Sequence, residues 1–234
     1  VKELIARAVA LLDRTPPWLR AWWPGLVLIG LGAWGFLGVA DWVADQEDLY
    51  RLDQPLVEWF QSVRTPGVTA FLTGVTNTFG PAILPFALVV IALAWWRVTG
   101  NWWEPALVLG AVVLATGLAV ILKTVFGRAR PLDDFQTVPG VEDSFSFPSG
   151  HTIVAATLVL VTGYLAWRGQ RHVRALVGWA VASVLLTLLV GGSRLYLGYH
   201  FLTDVVAGLF VAVLVLGVVV GVDRYRRALL TARG

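Results

Sequence analysis

The sequence predicts an all-α fold, an integral-membrane bundle of six transmembrane helices with short interfacial helices between them. Three observations lead there. Of the 234 residues, 57% are hydrophobic and 14% are charged, a balance foreign to a soluble globule. The charges gather in short segments and leave long uncharged runs, and about 20 apolar residues suffice to cross a hydrocarbon core of roughly 30 Å. Trp22, Trp23 and Trp42 flank the first run, where interface anchors belong. The length fits a single domain, residues 1–234. With no cysteine in the chain, disulfides and thiolate chemistry are excluded. The formal charge of +3 lies beside apolar runs and not on a basic recognition element, which excludes nucleic acid as a partner.

Residues 1–20 carry Leu4, Ile5, Ala8, Leu11 and Leu12 on one helical face and are expected to lie on the cytoplasmic membrane surface, ending at Pro16-Pro17. Residues 21–222 form the six-span core. The first span is 21–40, with glycines at 30, 32, 35 and 38 that permit close helix contact. Residues 41–64 are acidic, and Leu52, Leu56, Val57 and Phe60 predict a short amphipathic helix whose carboxylates form a solvated face. The uncharged stretch 65–96 would be about 48 Å long as one helix, too long for one crossing. Gly80-Pro81 breaks it into an interfacial piece, 66–79, and a second span, about 80–97. Asn77 near the break faces the site or bonds to another helix. The third span is 105–122. The acidic loop 132–147 follows, with no Lys or Arg, expected either to cover a site or to serve as a connector. Spans four to six are 151–167, 175–193 and 205–222, and 223–234 is a basic cytoplasmic tail. His172 stands among arginines and reads as surface.

Twelve of the 18 Lys and Arg residues lie in the termini and in the turns at 97–104 and 168–174. The positive-inside rule therefore places both termini in the cytoplasm. The remaining polar groups with chemical potential then collect on the opposite face, at the periplasm or cell exterior.

Three stretches on that face carry the chemistry. They are K-T-V-F-G-R-A-R-P from Lys123 to Pro131, F-P-S-G-H from Phe147 to His151, and G-S-R-L-Y-L-G-Y-H-F-L-T-D from Gly192 to Asp204. His200 and Asp204 are four apart and share a helix face, so a carboxylate can hold an imidazole in one orientation. Arg194 offers a rigid fork of donors to an anion. A pore or transporter would place charges near the midplane of several spans; here they sit at the ends.

These stretches resemble the three signature motifs of the type 2 phosphatidic acid phosphatase superfamily. Lys123, Arg130 and Pro131 meet the first, Pro148, Ser149, Gly150 and His151 the second, and Ser193, Arg194, His200 and Asp204 the third. The resemblance implies a hydrolase acting on a membrane lipid phosphate or pyrophosphate through a phosphohistidine. It implies that His200 attacks phosphorus, Asp204 orients it, and His151 protonates the leaving oxygen. Lys123, Arg130, Ser149, Gly150 and Arg194 would bind the phosphate, with no cofactor and no metal. Polyprenyl pyrophosphate is the substrate the resemblance favours, ahead of phosphatidylglycerol phosphate or phosphatidate. Arg128, outside the signatures, reaches a second phosphate or faces head groups. Tyr196 and Tyr199 read as interface anchors, and Ser193 as a capping or packing residue.

Overall fold

The computed structural model describes residues 16–138, 142–169 and 173–232. The expected surface helix over 1–15 and His172 fall outside these residues. Eight α-helices follow in order: α1 (Pro17–Asp45), α2 (Asp53–Ser62), α3 (Pro66–Thr78), α4 (Leu84–Thr99), α5 (Trp103–Phe126), α6 (Gly150–Gly169), α7 (Val173–Tyr196) and α8 (Leu202–Thr231). Short 3₁₀ turns at Asp48–Leu52 and Asp133–Phe135 complete the described secondary structure. The fold is all-α, as expected.

Among the described residues five helices are long and apolar enough to cross a membrane: Leu19–Asp45, Trp103–Phe126, Gly150–Arg168, Val173–Tyr196 and Leu202–Thr231. The expected second span is the shorter apolar helix Leu84–Thr99. The break at Gly80-Pro81 holds, since α3 ends at Thr78 and α4 begins at Leu84. Glycines in the left-handed region stop two helices. Gly100 (φ 67°) bonds its N–H to the Trp96 carbonyl, and Gly127 (φ 57°) does the same to Lys123. The second stop leaves Lys123 in the last turn of α5, facing the polar end.

The core is made where α1, α5, α6 and α8 meet. Phe36 and Val39 pack against Ala111, Ala115 and Ala119, Ile153 and Val161, and Val211 and Val215. Trp34, Val113, Val125, Leu185 and Leu188 stay exposed, as a lipid-facing surface requires. Lipid is as apolar as leucine, so close packing has to drive helix association. Small residues supply it between α1 and α8: a Cβ on Gly32 would come within 2.7 Å of the Phe210 carbonyl, and one on Gly217 within 2.6 Å of the Gly25 carbonyl. The α1 glycines divide accordingly, for Gly30 and Gly38 meet nothing within 4 Å.

At the other end of the bundle, charged residues of α5, α6 and α8 form a buried knot. Asp223 is fully buried in α8. It accepts hydrogen bonds from Trp103 Nε1 (2.9 Å) and Tyr164 OH (2.8 Å), and pairs with Arg168 and with Arg227 (2.9 Å). Arg168 also pairs with Glu104. A basic tail beginning at 223 is thus the last turns of α8, held to α5 and α6. Asp223→Ala would leave buried guanidinium charge uncompensated and should destabilise the bundle by about 3 kcal/mol, read as a lowered Tm in detergent.

Candidate active site

Four chain segments converge at the polar end of the bundle. The C-terminus of α5 carries Lys123, the N-terminus of α6 carries Gly150 and His151, the C-terminus of α7 carries Arg194, and the N-terminus of α8 carries Asp204. The 127–149 loop is fastened over them. Ser146 N–H donates to the Arg128 carbonyl (2.8 Å), Ser149 N–H to the Asp204 carbonyl (3.0 Å) and Thr137 N–H to the Leu197 carbonyl (3.1 Å). Phe147 is fully buried against Phe126 and Phe36, with ring centroids 5.1 and 5.6 Å away, which pins the start of α6. Gly198 lies at φ 79°, a conformation open to glycine. It turns the chain between α7 and α8 beneath the Phe135 carbonyl, where a side chain has no room.

His200 and Asp204 meet, but not on one helix face as expected: His200 precedes α8, which begins at Leu202, and its Nδ1 lies 3.2 Å from Asp204 Oδ2 across the helix start. On the other side of the ring, Arg130 Nη1 lies 3.3 Å from Nε2. A guanidinium only donates, so Nε2 must present its lone pair and Nδ1 must carry the proton. That tautomer aims the Nε2 lone pair of His200 at the cations, where Arg130 donates to it. Burial, with Arg130 and Arg194, holds the His200 pKa well below the usual imidazole range, so the ring is neutral at pH 7.

Asp204 is fully buried and densely partnered. Oδ2 accepts from Phe201 N–H (2.8 Å) and from the Ser146 hydroxyl, while Oδ1 accepts from Arg128 Nη1 (2.7 Å). As the third residue of α8 it also profits from the positive end of the helix dipole. Ser146, itself fully buried, was not legible in the sequence, since one serine in a loop carries no signal.

Arg128 corrects the expectation that it meets a second phosphate or head groups. Its other nitrogen donates to Asp53 Oδ2 (2.7 Å), and Phe201 stacks 4.4 Å from its guanidinium carbon. Asp53 in turn corrects the reading of the 41–58 acids as a solvated face. It is 2% exposed, and accepts from Thr203 N–H (2.9 Å) and Thr203 Oγ1 (2.6 Å). Burial pushes its carboxyl up while Arg128 and Thr203 draw it down. Asp53, Arg128 and Asp204 thus form a chain behind the imidazole. Asp53→Ala should lower kcat/KM about 10–100-fold, the usual scale for removing an outer partner of a working group, whereas a solvated carboxylate would give no change. Single-turnover phosphorylation of the protein would read it.

The cations behave as a group. Arg194 is 2% exposed, with Nη1 donating to Thr76 Oγ1 of α3 (2.9 Å) and its guanidinium carbon 4.6 Å from the Tyr199 ring centroid. Its Nε is buried with no partner among the described residues, a donor left for a ligand oxygen. Arg130 Nη1 also donates to the Tyr199 carbonyl (2.7 Å). Lys123 and Gly150 are adjacent, since a Cβ on Gly150 would lie 4.0 Å from Lys123 Cε. Glu142 pairs with Arg194 and with Arg130 (2.7 Å). Burial pushes Glu142 up, and the opposing charges of Arg194 and Arg130 outweigh it, holding the pKa at about 2.

His151 makes no hydrogen bond among the described residues and lines a cavity with Lys123, Gly150, Arg194 and Glu142. The cavity has a volume of about 920 Å³ and continues into apolar walls that include Phe79, Ile83, Leu84, Val112 and Val120. Asn77 lines it too. Ser149 is fully buried, accepting from Thr152 Oγ1 (3.0 Å), which leaves its own hydroxyl proton to donate. Ser193 bonds to the Val190 carbonyl of its own helix (2.7 Å). Tyr196 and Tyr199 are buried, not interface anchors. Tyr196 OH accepts from Thr65 N–H (2.7 Å), and Tyr199 OH reaches the Val138 carbonyl (3.3 Å).

Residues 104–228 match the family model described as the PAP2 superfamily. The chain is 33% identical over 167 residues to phosphatidylglycerophosphatase B of Bacillus subtilis (strain 168), covering 69% of this chain and 78% of that one. It is 26% identical over 139 residues to undecaprenyl-diphosphatase BcrC of the same organism, covering 57% and 65%. The crystal structure of a transmembrane PAP2 type phosphatidylglycerolphosphate phosphatase from Bacillus subtilis superposes with a TM-score of 0.69 at 28% identity, covering 82% of this chain and 96% of that one.

Proposed function

The chain belongs to the PAP2 superfamily, and from that premise we propose a substrate and a division of labour for its site. The protein is an integral multi-pass membrane phosphatase that hydrolyses lipid phosphates or pyrophosphates. The preferred substrate is a lipid phosphate monoester of the phosphatidylglycerol phosphate kind. One observation carries this: Lys123, Arg194 and the unbonded His151 open into an apolar cavity, so a charged head and a greasy tail are accommodated together. Arg128, the cation that the sequence offered for a second phosphate, is committed to Asp53 and Asp204, which favours a single phosphate. Polyprenyl pyrophosphate is the second reading, supported by the likeness to undecaprenyl-diphosphatase.

In the proposed cycle Lys123, Arg130 and Arg194 neutralise the nonbridging oxygens and the charge that develops there. The Ser149 hydroxyl and the Gly150 N–H, at the start of α6, add donors where the helix dipole favours an anion. His200 Nε2 attacks phosphorus, and His151 gives a proton to the departing lipid oxygen. Water then attacks the phosphohistidine, His151 takes its proton, phosphate leaves, and His200 regains its lone pair. Asp204 holds the ring throughout. We assign α4 as the sixth span, so that one domain, 1–234, has both termini in the cytoplasm and the site on the outer face, in keeping with the distribution of Arg and Lys.

Purified protein in detergent, offered phosphatidylglycerol phosphate, phosphatidate, polyprenyl pyrophosphate and glucose 6-phosphate, tests the substrate. The first should turn over fastest, and faster turnover of the sugar phosphate would overturn the lipid reading. In the same assay excess chelator should leave the rate nearly intact, because fixed side chains provide the positive charge that a metal supplies elsewhere. Loss of activity restored only by added magnesium would count against that.

A further inference from the structure

We propose that Glu142 is a specificity-determining residue: its carboxylate holds the place of the substrate's phosphate in the free enzyme and yields only to a more highly charged group. This rests on the reading that Arg130 and Arg194 bind phosphate. Glu142 spans both, with Oε2 2.7 Å from Arg130 Nη2 and Oε1 on Arg194 Nη2. The residues beside it take further donors of Lys123 and Arg130. Ser144 Oγ accepts from Lys123 Nζ (3.1 Å) and Arg130 Nη2 (3.0 Å), and the Phe145 carbonyl accepts from Lys123 Nζ (2.6 Å). All three cations are therefore engaged by oxygens of one short segment, in the manner of the oxygens of a phosphate.

The arrangement has a chemical consequence. With a pKa of about 2, Glu142 is ionised at any working pH, so protonation does not open the site. An incoming anion must replace two charge-assisted bonds. A phosphate monoester or a pyrophosphate carries more charge than one carboxylate and gains by the exchange. A phosphodiester, the single negative charge of an ordinary phospholipid head group, gains nothing in charge and is bulkier. An enzyme embedded among such lipids needs to refuse them, and Glu142 provides the refusal. Its side chain, 21% exposed, borders both the apolar cavity and the opening beside Arg130, where an arriving head group would meet it.

Hydrolysis of a lipid phosphate monoester in mixed micelles, inhibited by inorganic phosphate or by phosphatidylglycerol, tests this. Glu142→Gln should strengthen inhibition by phosphate about tenfold or more, the scale of one released charge-assisted hydrogen bond. It should lower KM and make phosphatidylglycerol an inhibitor where the parent is indifferent. Glu142→Asp, which keeps the charge, should stay close to the parent. Ser144→Ala removes one oxygen from each of Lys123 and Arg130 without touching Glu142. It should show the same sign at smaller size, and serves if Glu142→Gln does not accumulate. A merely structural Glu142 would lower kcat or Tm with phosphate inhibition unchanged or weaker, and that result overturns the proposal. Arg194→Lys separates the two levels. If it weakens phosphate inhibition while Glu142→Gln and Ser144→Ala gain none, the proposal alone falls. If it leaves inhibition unchanged, the phosphate site falls and the proposal with it.

Discussion

His200→Ala should abolish lipid hydrolysis, by about 10⁴-fold or more on the scale of removing a nucleophile, and leave no phosphorylated protein behind. The expectation follows from the ring's two neighbours. Asp204 and Arg130 fix the tautomer from opposite sides, and the nucleophilic lone pair lies on the nitrogen beside the phosphate-binding cations. His151 cannot take over, because among the described residues it has neither a bonded carboxylate nor a neighbour that fixes its tautomer. Brief reaction with radioactive substrate, acid-sensitive labelling and mass spectrometry of the quenched protein would locate the phosphoryl group. Label on His151, or undiminished label in His200→Ala, would reverse the two roles.

His151→Ala should slow hydrolysis of a lipid monoester about 100-fold or more, the scale of lost general acid catalysis, while still allowing the phosphoenzyme to form. The loss should shrink for a nitrophenyl phosphate, whose leaving group departs without a proton. This split between substrates separates a proton donor from a residue that only shapes the cavity. Equal loss on both substrates would remove His151 from the acid role.

Much of this was legible in the sequence because it depends on local spacing. The pairing of His200 with Asp204 was legible from their closeness in sequence, although it is made across the start of α8 and not along a helix face, and helix ends put Lys123, His151 and Arg194 on one face once the apolar runs were counted. The groove-facing glycines of α1 were visible as small residues, but which of them face α8 depends on the angle of packing, and Gly30 and Gly38 point elsewhere. Asp53 was misread because its partners, Arg128 and Thr203, are 75 and 150 residues away, and nothing nearby distinguishes it from its exposed neighbours. Asp223 gave no signal for the same reason, its local setting being a run of arginines. Glu142 gave half a signal: an acidic loop without Lys or Arg, lying between cationic motifs, is complementary to them, but complementarity did not say which carboxylate reaches the arginines.

The position of Asp204 bears on how such an enzyme tolerates change. Working groups are usually held where the fold would be more stable without them, so robustness and activity pull apart. Asp204 is an exception, for the oxygen that steadies the nucleophile also closes the first turn of α8 by accepting Phe201 N–H. A selection for heat resistance alone would retain it. The crowded cations Lys123, Arg130 and Arg194 are the opposite case: mutual repulsion opposes their assembly, and Glu142 offsets it only in part. A lineage released from catalysis should therefore lose its grip on substrate first and the support of its nucleophile last.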